Sequence, residues 1–230
     1  MQNKGILYLI PTPIGNLKEV SPRILSTIDE VSCIFCEDTR NTQKLLNLLG
    51  KNKKTISCHE HNEKIMSSKV IELLENGENI AYMSDAGYPA ISDPGSILVK
   101  ECIKNDIKVT PLSGPNAFIN ALVGSNQDTS HFIFYGFLNS KSSERKKELE
   151  FLKNYSFTII FYEAPHRIND SLKDIYEIFG NRNITIAREL TKLNEEFIYS
   201  TLENLVTNQR EYKGELVLVI EGKINKNEQN

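Results

Sequence analysis

The sequence has no tryptophan, little aromatic residue of any kind, four cysteines and no surplus of positive charge. Each shortage removes a class of protein. No apolar stretch comes near the roughly 20 residues that span a bilayer. The N-terminal segment MQNKGILYLIPTPIG carries only a five-residue apolar run before its first proline, too short for a secretory core. A cytoplasmic protein without membrane attachment is expected. Neither G-x-x-x-x-G-K-[ST] nor a G-x-G-x-x-G after the first strand is present, which disfavours a P-loop kinase or a conventional dinucleotide enzyme. The G-x-S-x-G elbow of α/β-hydrolases is missing too. Lys and Arg number 27 against 30 Asp and Glu, a net charge of −3, so contact with nucleic acid must rest on local patches.

The cysteines are Cys33, Cys36, Cys58 and Cys102. Cys33 and Cys36 form a C-x-x-C, but VSCIFCED reads as a strand, on which residues three apart face opposite sides. A redox pair belongs at a helix start, where the dipole lowers the thiol pKa. Cys58, His59 and His61 could offer zinc ligands, yet their spacing does not repeat as a finger's does. Reduced thiols in apolar strands, and no metal, are expected.

What is present alternates strand with helix. GILYLI, VSCIFCE, KTISCH, NIAYM and IKVTPL read as strands. Between them lie helices in SPRILSTIDE, with Ser21 as N-cap and Pro22 at its first position, in TRNTQKLLNLLG, and in NEKIMSSKVIELLENG. A fourth follows Asp93, read as its cap with Pro94 in its first turn. Strands alternating with helices of this length indicate βαβ units and a mostly parallel sheet over residues 1–112. Residues 113–230 form a second α/β unit: its last strands, NITIAR, EEFIYS and GELVLVIEG, lie close in sequence, so antiparallel pairs and a mixed sheet are expected. In HRINDSLKDIYEIFG, Ile168, Leu172, Ile175 and Phe179 form one inward stripe, ended by Gly180. The tail KINKNEQN is polar and expected to fray.

In an open parallel sheet, ligands bind beyond the carboxyl ends of the strands. The loops expected there are PTPIGNL, EDTR, HEHNE, SDAGYPAISDPG and SGPNA. Gly87 and Gly95 permit positive φ and close approach of main chain, while Pro89 and Pro94 stiffen the segment. Such a loop offers N–H and C=O groups with no side chain in the way. Asp85 follows the strand directly and reads as a ligand contact or loop organiser. Spacing leads to a two-unit α/β protein with a rigid glycine–proline ligand cleft and does not name the ligand.

The motifs PTPIGNL, EDTR, HEHNE, SDAGYPAISDPG, GPNA, FYEAPHR, ARELTK and KGE, in this order from Tyr8 to Gly222, resemble the bacterial 16S ribosomal RNA 2′-O-ribose cytidine methyltransferase family of the tetrapyrrole-methylase-like (class III) superfamily. The resemblance implies two αβα domains with S-adenosylmethionine held in a cleft between them, largely by main-chain groups. Carried over by motif, the donor-binding residues are Pro11, Asp85, Gly87, Ile91, Asn116 and Ala117, with Tyr162, Glu163, Ala187 and Gly214 from the second domain. The implied substrate is a cytidine ribose in the decoding region of 16S rRNA in the small ribosomal subunit, and a homodimer is implied. Tyr88 stands where the family's fourth loop has Thr, and Ser113 where the fifth has Pro.

Transfer from a sulfonium to a ribose hydroxyl is helped by alignment and by a proton acceptor. Glu37, Asp38, His59 and His61 are the candidates, with Asp38 and His61 favoured, and Arg40 facing phosphate. Arg167, Arg188 and Lys192, from motif segments, are further RNA contacts. Asp38 equally caps the following helix. The clusters Lys51, Lys53, Lys54 and Lys141, Arg145, Lys146, Lys147 read either as solvated faces or as RNA-facing surface. Two other classes stay open at this level: a methyltransferase for small tetrapyrroles, and a nucleotide-sensing module without catalysis.

Overall fold

The computed structural model describes residues 3–224; of the polar tail, residues 225–230 lie outside the described residues. The chain forms two compact units, Met1–Asn116 and Ala117–Asn230.

The first unit contains β1 (Ile6–Ile10), α1 (Pro22–Glu30), β2 (Cys33–Cys36), α2 (Thr39–Leu48) and β3 (Thr55–Ser57). It continues with α3 (Glu63–Glu75), β4 (Ile80–Met83), α4 (Ser96–Lys104) and β5 (Lys108–Pro111). Strand order is β3-β2-β4-β1-β5, and every pair is parallel. Sheets of this kind are covered on both faces, so central strands need near-continuous apolar runs. β2 and β4 meet that need: all four residues of CIFC and of IAYM are buried. This accounts for Cys33 and Cys36, which pack as small apolar residues on the two faces of β2. Burial pushes the Cys58 thiol up to about 12 and that of Cys102 to about 11, so both stay protonated.

The second unit comprises α5 (Ala117–Gly124), β6 (Phe132–Phe137), α6 (Ser142–Leu152), β7 (Thr158–Glu163) and α7 (Ile168–Phe179). β8 (Asn183–Arg188), β9 (Glu196–Thr201), α8 (Leu202–Thr207) and β10 (Leu216–Ile220) complete it. The order β6-β7-β10-β8-β9 has one parallel pair, β6 with β7, and three antiparallel ones. The second sheet is therefore mixed, as expected. β10 enters between β7 and β8, and all five of its residues are buried. The α7 stripe Ile168, Leu172, Ile175 and Phe179 faces this core. Asp174 on the same helix is buried with Arg145 of α6, the two joined at 2.8 Å through Nε and 2.5 Å through Nη2. Lys146 pairs with Glu177 and Lys147 with Glu144. The basic run of α6 is thus neutralised by its own surroundings.

The β4–α4 connection departs from the sequence expectation. α4 begins at Ser96 with Gly95 in the N-cap position, and no side chain of its own segment caps it. Asp93 and Pro94 remain in the loop, because Ser92 (φ 59°) and Gly95 (φ 130°) turn the chain twice before the helix starts. The cap comes from elsewhere. Glu63, the first residue of α3 and 3% exposed, accepts Gly95 N–H at 3.0 Å and Leu98 N–H at 2.9 Å through Oε1. Asp93 is left half-buried, and burial first, then the charges of Glu37 and Asp85, push its carboxyl up to about 6.

These two acids make opposite predictions. Glu63→Ala leaves two N–H groups without a partner and should cost about 3 kcal/mol in urea unfolding, with Glu63→Gln losing roughly half of that. An unchanged midpoint in Glu63→Ala would show that the cap contributes nothing. Asp93 has a folded pKa above the ordinary carboxylate value of about 3.9, so the folded state holds its proton more tightly. Its contribution is full below that value and is lost as pH rises through about 6. Asp93→Asn should therefore flatten the stability profile between about pH 4 and 7, gaining about 1–2 kcal/mol on the parent at the upper end after solvent screening.

Candidate active site

Because the first sheet is parallel throughout, β1 through β5 deliver their following loops to one edge. Two of those loops are bonded directly. Thr12 and Gly87 exchange main-chain hydrogen bonds, Thr12 N–H to Gly87 O at 2.9 Å and Gly87 N–H to Thr12 O at 3.0 Å. The Thr12 hydroxyl donates to Ser84 O and the Ser84 hydroxyl to Gly87 O, both at 3.2 Å. Gly87 adopts φ 72°, a conformation that a side chain would disfavour. The fifth loop is tied in by Tyr88, whose hydroxyl accepts Gly114 N–H at 2.9 Å. Pro11 lies directly on Gly114: a Cβ there would sit 2.4 Å from Pro11 Cγ. Loops after β1, β4 and β5 therefore close on one another mainly through main chain. The tyrosine that departs from the family pattern supplies a bond between two of them.

Within the fourth loop, Ala90 (φ 66°) and Ser92 (φ 59°) are also left-handed, at a cost on the order of 1 kcal/mol each. They are held by Ala90 N–H to Pro94 O at 3.0 Å and Ile91 N–H to Tyr88 O at 3.3 Å. Ile91 is left 39% exposed at the rim. Asp85 is exposed and accepts Nδ2 of Asn41 from α2 at 2.7 Å.

The loops after β2 and β3 carry titratable groups. Glu37 is half-buried; burial, then the Asp85 charge, raise its pKa. Asp38 caps α2 by accepting Arg40 N–H at 2.8 Å, and its Oδ2 lies 2.6 Å from Arg40 Nη2. Those bonds hold its carboxyl down to about 2. An acid so depressed stays ionised at any working pH and is a weak base; its evident task is to orient Arg40. The rings of His59 and His61 meet edge to face at 5.9 Å. His61 is exposed, whereas His59 has a buried Nδ1 with no hydrogen-bond partner among the described residues. Asn62 stands at the N-cap of α3 but turns its Oδ1 back to His59 N–H at 2.8 Å.

In the second unit, Tyr162, Val217 and Ala187 lie in one cross-strand row, and Glu163, Leu216 and Arg188 in the next, on the opposite face. Tyr162 packs against the rings of Phe134 and Phe137. Glu163 is wholly enclosed, its Oε1 accepting Ala164 N–H at 2.8 Å and Arg167 Nε at 2.9 Å, its Oε2 the Ser171 hydroxyl at 2.5 Å. Arg167 also donates to Leu138 O at 2.8 Å. The structure thus makes a turn organiser of the Glu163 side chain and separates it from the Tyr162–Ala187 row. Arg188 pairs with Glu196 at 3.0 Å, and Lys192 with Glu189 and Glu215 at 2.8 and 3.0 Å. Gly214, at the head of β10, has no room for a Cβ, which would fall 2.3 Å from the Glu189 carboxyl. Asn116 and Ala117 stand at the division of the two units, where α5 begins.

Sequence reasoning missed Glu63 and Asn41. For Glu63 a signal existed: an acid heads the inward stripe Ser67, Val70, Leu74 of α3, where only a carboxylate with partners is tolerated. For Asn41 there was none.

The model of the tetrapyrrole (corrin/porphyrin) methylases matches residues 6–206. Ribosomal RNA small subunit methyltransferase I of Bacillus subtilis (strain 168) is 48% identical over 223 residues, spanning 96% of this chain and 76% of the relative. The protein of the same name from Haemophilus influenzae is 44% identical over 224 residues, spanning 95% and 79%. Among solved structures, the methyltransferase CobJ superposes with a TM-score of 0.69 at 15% identity, over 96% of this chain and 97% of its own. The native form of uroporphyrin III C-methyl transferase from Thermus thermophilus gives 0.66 at 12%, over 94% and 97%. These two structures establish the fold alone. With a family model over most of its length and near-half identity to such relatives, the chain belongs to the ribosomal RNA small subunit methyltransferase I family, within the tetrapyrrole methylases.

Proposed function

We propose that this chain methylates the ribose 2′-hydroxyl of a cytidine in the decoding region of 16S rRNA, with S-adenosylmethionine as donor and the small ribosomal subunit as substrate. One observation carries the reading: three glycine–proline loops lock into a main-chain cradle beside an ionised Asp38–Arg40 pair, in a chain 48% identical to a small-subunit rRNA methyltransferase. The cradle suits the donor's chemistry. Its rim carries the exposed carboxylate of Asp85, complementary to a cationic sulfonium and ammonium, and its loops offer main-chain groups to a nucleoside.

The donor, when bound, supplies an electrophilic methyl group on a sulfur that leaves readily. The chain's own residues do the rest by placement. Pro11, Gly87, Ile91, Asn116 and Ala117 line or flank the bonded loops, and the same reading assigns Tyr162, Ala187 and Gly214 to donor binding, with Glu163 limited to its main chain because its carboxylate is engaged in its own turn. On the substrate side, His61 takes the hydroxyl proton, and Asp38 fixes Arg40 towards a phosphate. Arg188, Lys192 and Arg167 are further RNA contacts. The pairs that Arg188 and Lys192 now make are half-buried, and a phosphate would have to replace their carboxylate partners. The net charge of −3 favours an assembled subunit over naked RNA. A homodimer in the cytoplasm belongs to the same reading; among the described residues no helix is long and apolar enough to cross a membrane.

The test is incubation with methyl-labelled S-adenosylmethionine and small subunits that lack the modification, with naked 16S RNA and uroporphyrinogen alongside. Label at one cytidine 2′-oxygen, strong in subunits and weak in naked RNA, is expected. Label on the tetrapyrrole instead would transfer the chain to small-molecule chemistry. Tyr88→Phe removes the hydroxyl that joins the fourth and fifth loops. It should weaken donor binding about 3- to 10-fold by calorimetry, the worth of one hydrogen bond, while leaving the KM for subunits unchanged.

A further inference from the structure

From Thr39 to His59 the chain carries Arg40, Lys44, Lys51, Lys53 and Lys54 and not one acid, in a molecule whose net charge is −3. The structure separates these cations by employment. Lys51 reaches the Asp29 carboxylate, and Lys53 donates to the carbonyls of Asp29 and Val31 at 3.0 and 2.7 Å, so both serve the fold. Lys44 makes no ion pair among the described residues and stands exposed on α2. Arg40 is 89% exposed, and its pairing with Asp38 uses Nε and Nη2 while Nη1 points free of that contact.

Arg40, Gln43, Lys44, Asn47 and Leu48 follow one another along the outer face of α2. With Thr39 at the start of the helix and Thr55 of the edge strand β3 they line an open depression of about 720 Å³. It starts at the EDTR turn, at the carboxyl edge of the first sheet, and no carboxylate is among its lining residues. Its chemistry is that of a sugar–phosphate chain in complement: two cations for phosphates, two amides and two hydroxyls for phosphate oxygens and 2′-hydroxyls, and one apolar side chain, Leu48, 61% exposed, for a ribose or base face. The eight helical steps from Arg40 to Leu48 extend about 12 Å, the rise of roughly three to four stacked nucleotides. A protein partner fits less well, since lysine is depleted at the centre of protein interfaces and Leu48 alone is apolar here.

We propose that this depression is an RNA subsite, holding the backbone of the strand that flanks the target nucleotide and leading it to the edge where Asp38 and Arg40 stand. The proposal rests on the functional reading above and extends it from the EDTR motif to Gln43, Lys44, Asn47, Leu48 and Thr55, which no motif includes.

The experiment measures binding of the full-length protein to small subunits lacking the modification, across potassium chloride concentrations, beside the methylation assay. Lys44→Ala should weaken binding about 3- to 5-fold and lower the salt slope by about one unit; Lys44→Glu should weaken it at least 10-fold, and Lys44→Arg should restore it. Lys104→Ala, on the remote α4, should change neither binding nor activity. A photocrosslinking residue at position 47 should then attach to 16S RNA. Unchanged affinity and slope in Lys44→Glu would overturn the subsite while methyl transfer by the parent kept the functional reading intact. Crosslinks to a ribosomal protein alone would overturn it in favour of a protein contact. Lysine-dependent binding and RNA crosslinks without any methyl transfer would support the subsite and sink the functional reading.

Discussion

Five strands that run the same way must hand over all five of their following loops at one edge, and this constraint organises the first unit. β1 lies between β4 and β5, with Ile10 opposite Met83 and Leu9 opposite Pro111, so three loop exits emerge as neighbours. Adjacency makes the Thr12–Gly87 bridge and the Tyr88–Gly114 bond geometrically available. It also sets what the loops contain. Main chain can meet main chain only where side chains are absent or tightly confined, hence glycine at 87 and 114 and proline at 11. The cradle is a consequence of strand direction, completed by residue choice.

Charge is used in two ways across the molecule. In α6 and α7, Arg145 and Asp174 are both buried, and removing one partner of such a pair strands the other in a medium that solvates it poorly. At the motif segments the pairs lie nearer the surface: Arg40 with Asp38, Arg188 with Glu196, Lys192 with Glu189 and Glu215. There the attraction adds little to stability. It does fix the direction of long cationic side chains that would otherwise sample many rotamers, which matters if they are to meet a phosphate in one register.

Much of the architecture was legible because it is periodic. The α7 stripe follows from its 3.6-residue spacing, and CIFC and IAYM announced buried parallel strands by having no polar alternation. The mixed character of the second sheet followed from closely spaced terminal strands. What local reading could not supply were partners distant in sequence. Asp93 before Pro94 and Gly95 has the composition of a cap, but the cap is Glu63, reached only once α3 packs beside α4. α8, six residues directly after β9, is too short for a period to show. In the site, the motif positions indicated where to look, while the employment of each side chain was hidden. Glu163 turned out enclosed and Asp38 committed to Arg40, because hydrogen-bond geometry is not written in spacing.

The glycine–proline loop after β4 is anchored at both ends by groups outside itself. Thr12 secures its start, and the Glu63 carboxylate secures its finish through Gly95 and Leu98. A free segment of this length would lose about 1–2 kcal/mol of conformational entropy for each residue immobilised on a ligand. Here that loss is incurred when the domain folds, before any ligand arrives. The middle, Ala90 to Ser92, holds the strained, left-handed residues, fixed by the bonds of Ala90 to Pro94 and Ile91 to Tyr88. Association at this loop therefore draws on a surface already ordered, and its heat and rate should resemble docking to a rigid body more than the folding of a loop around a guest.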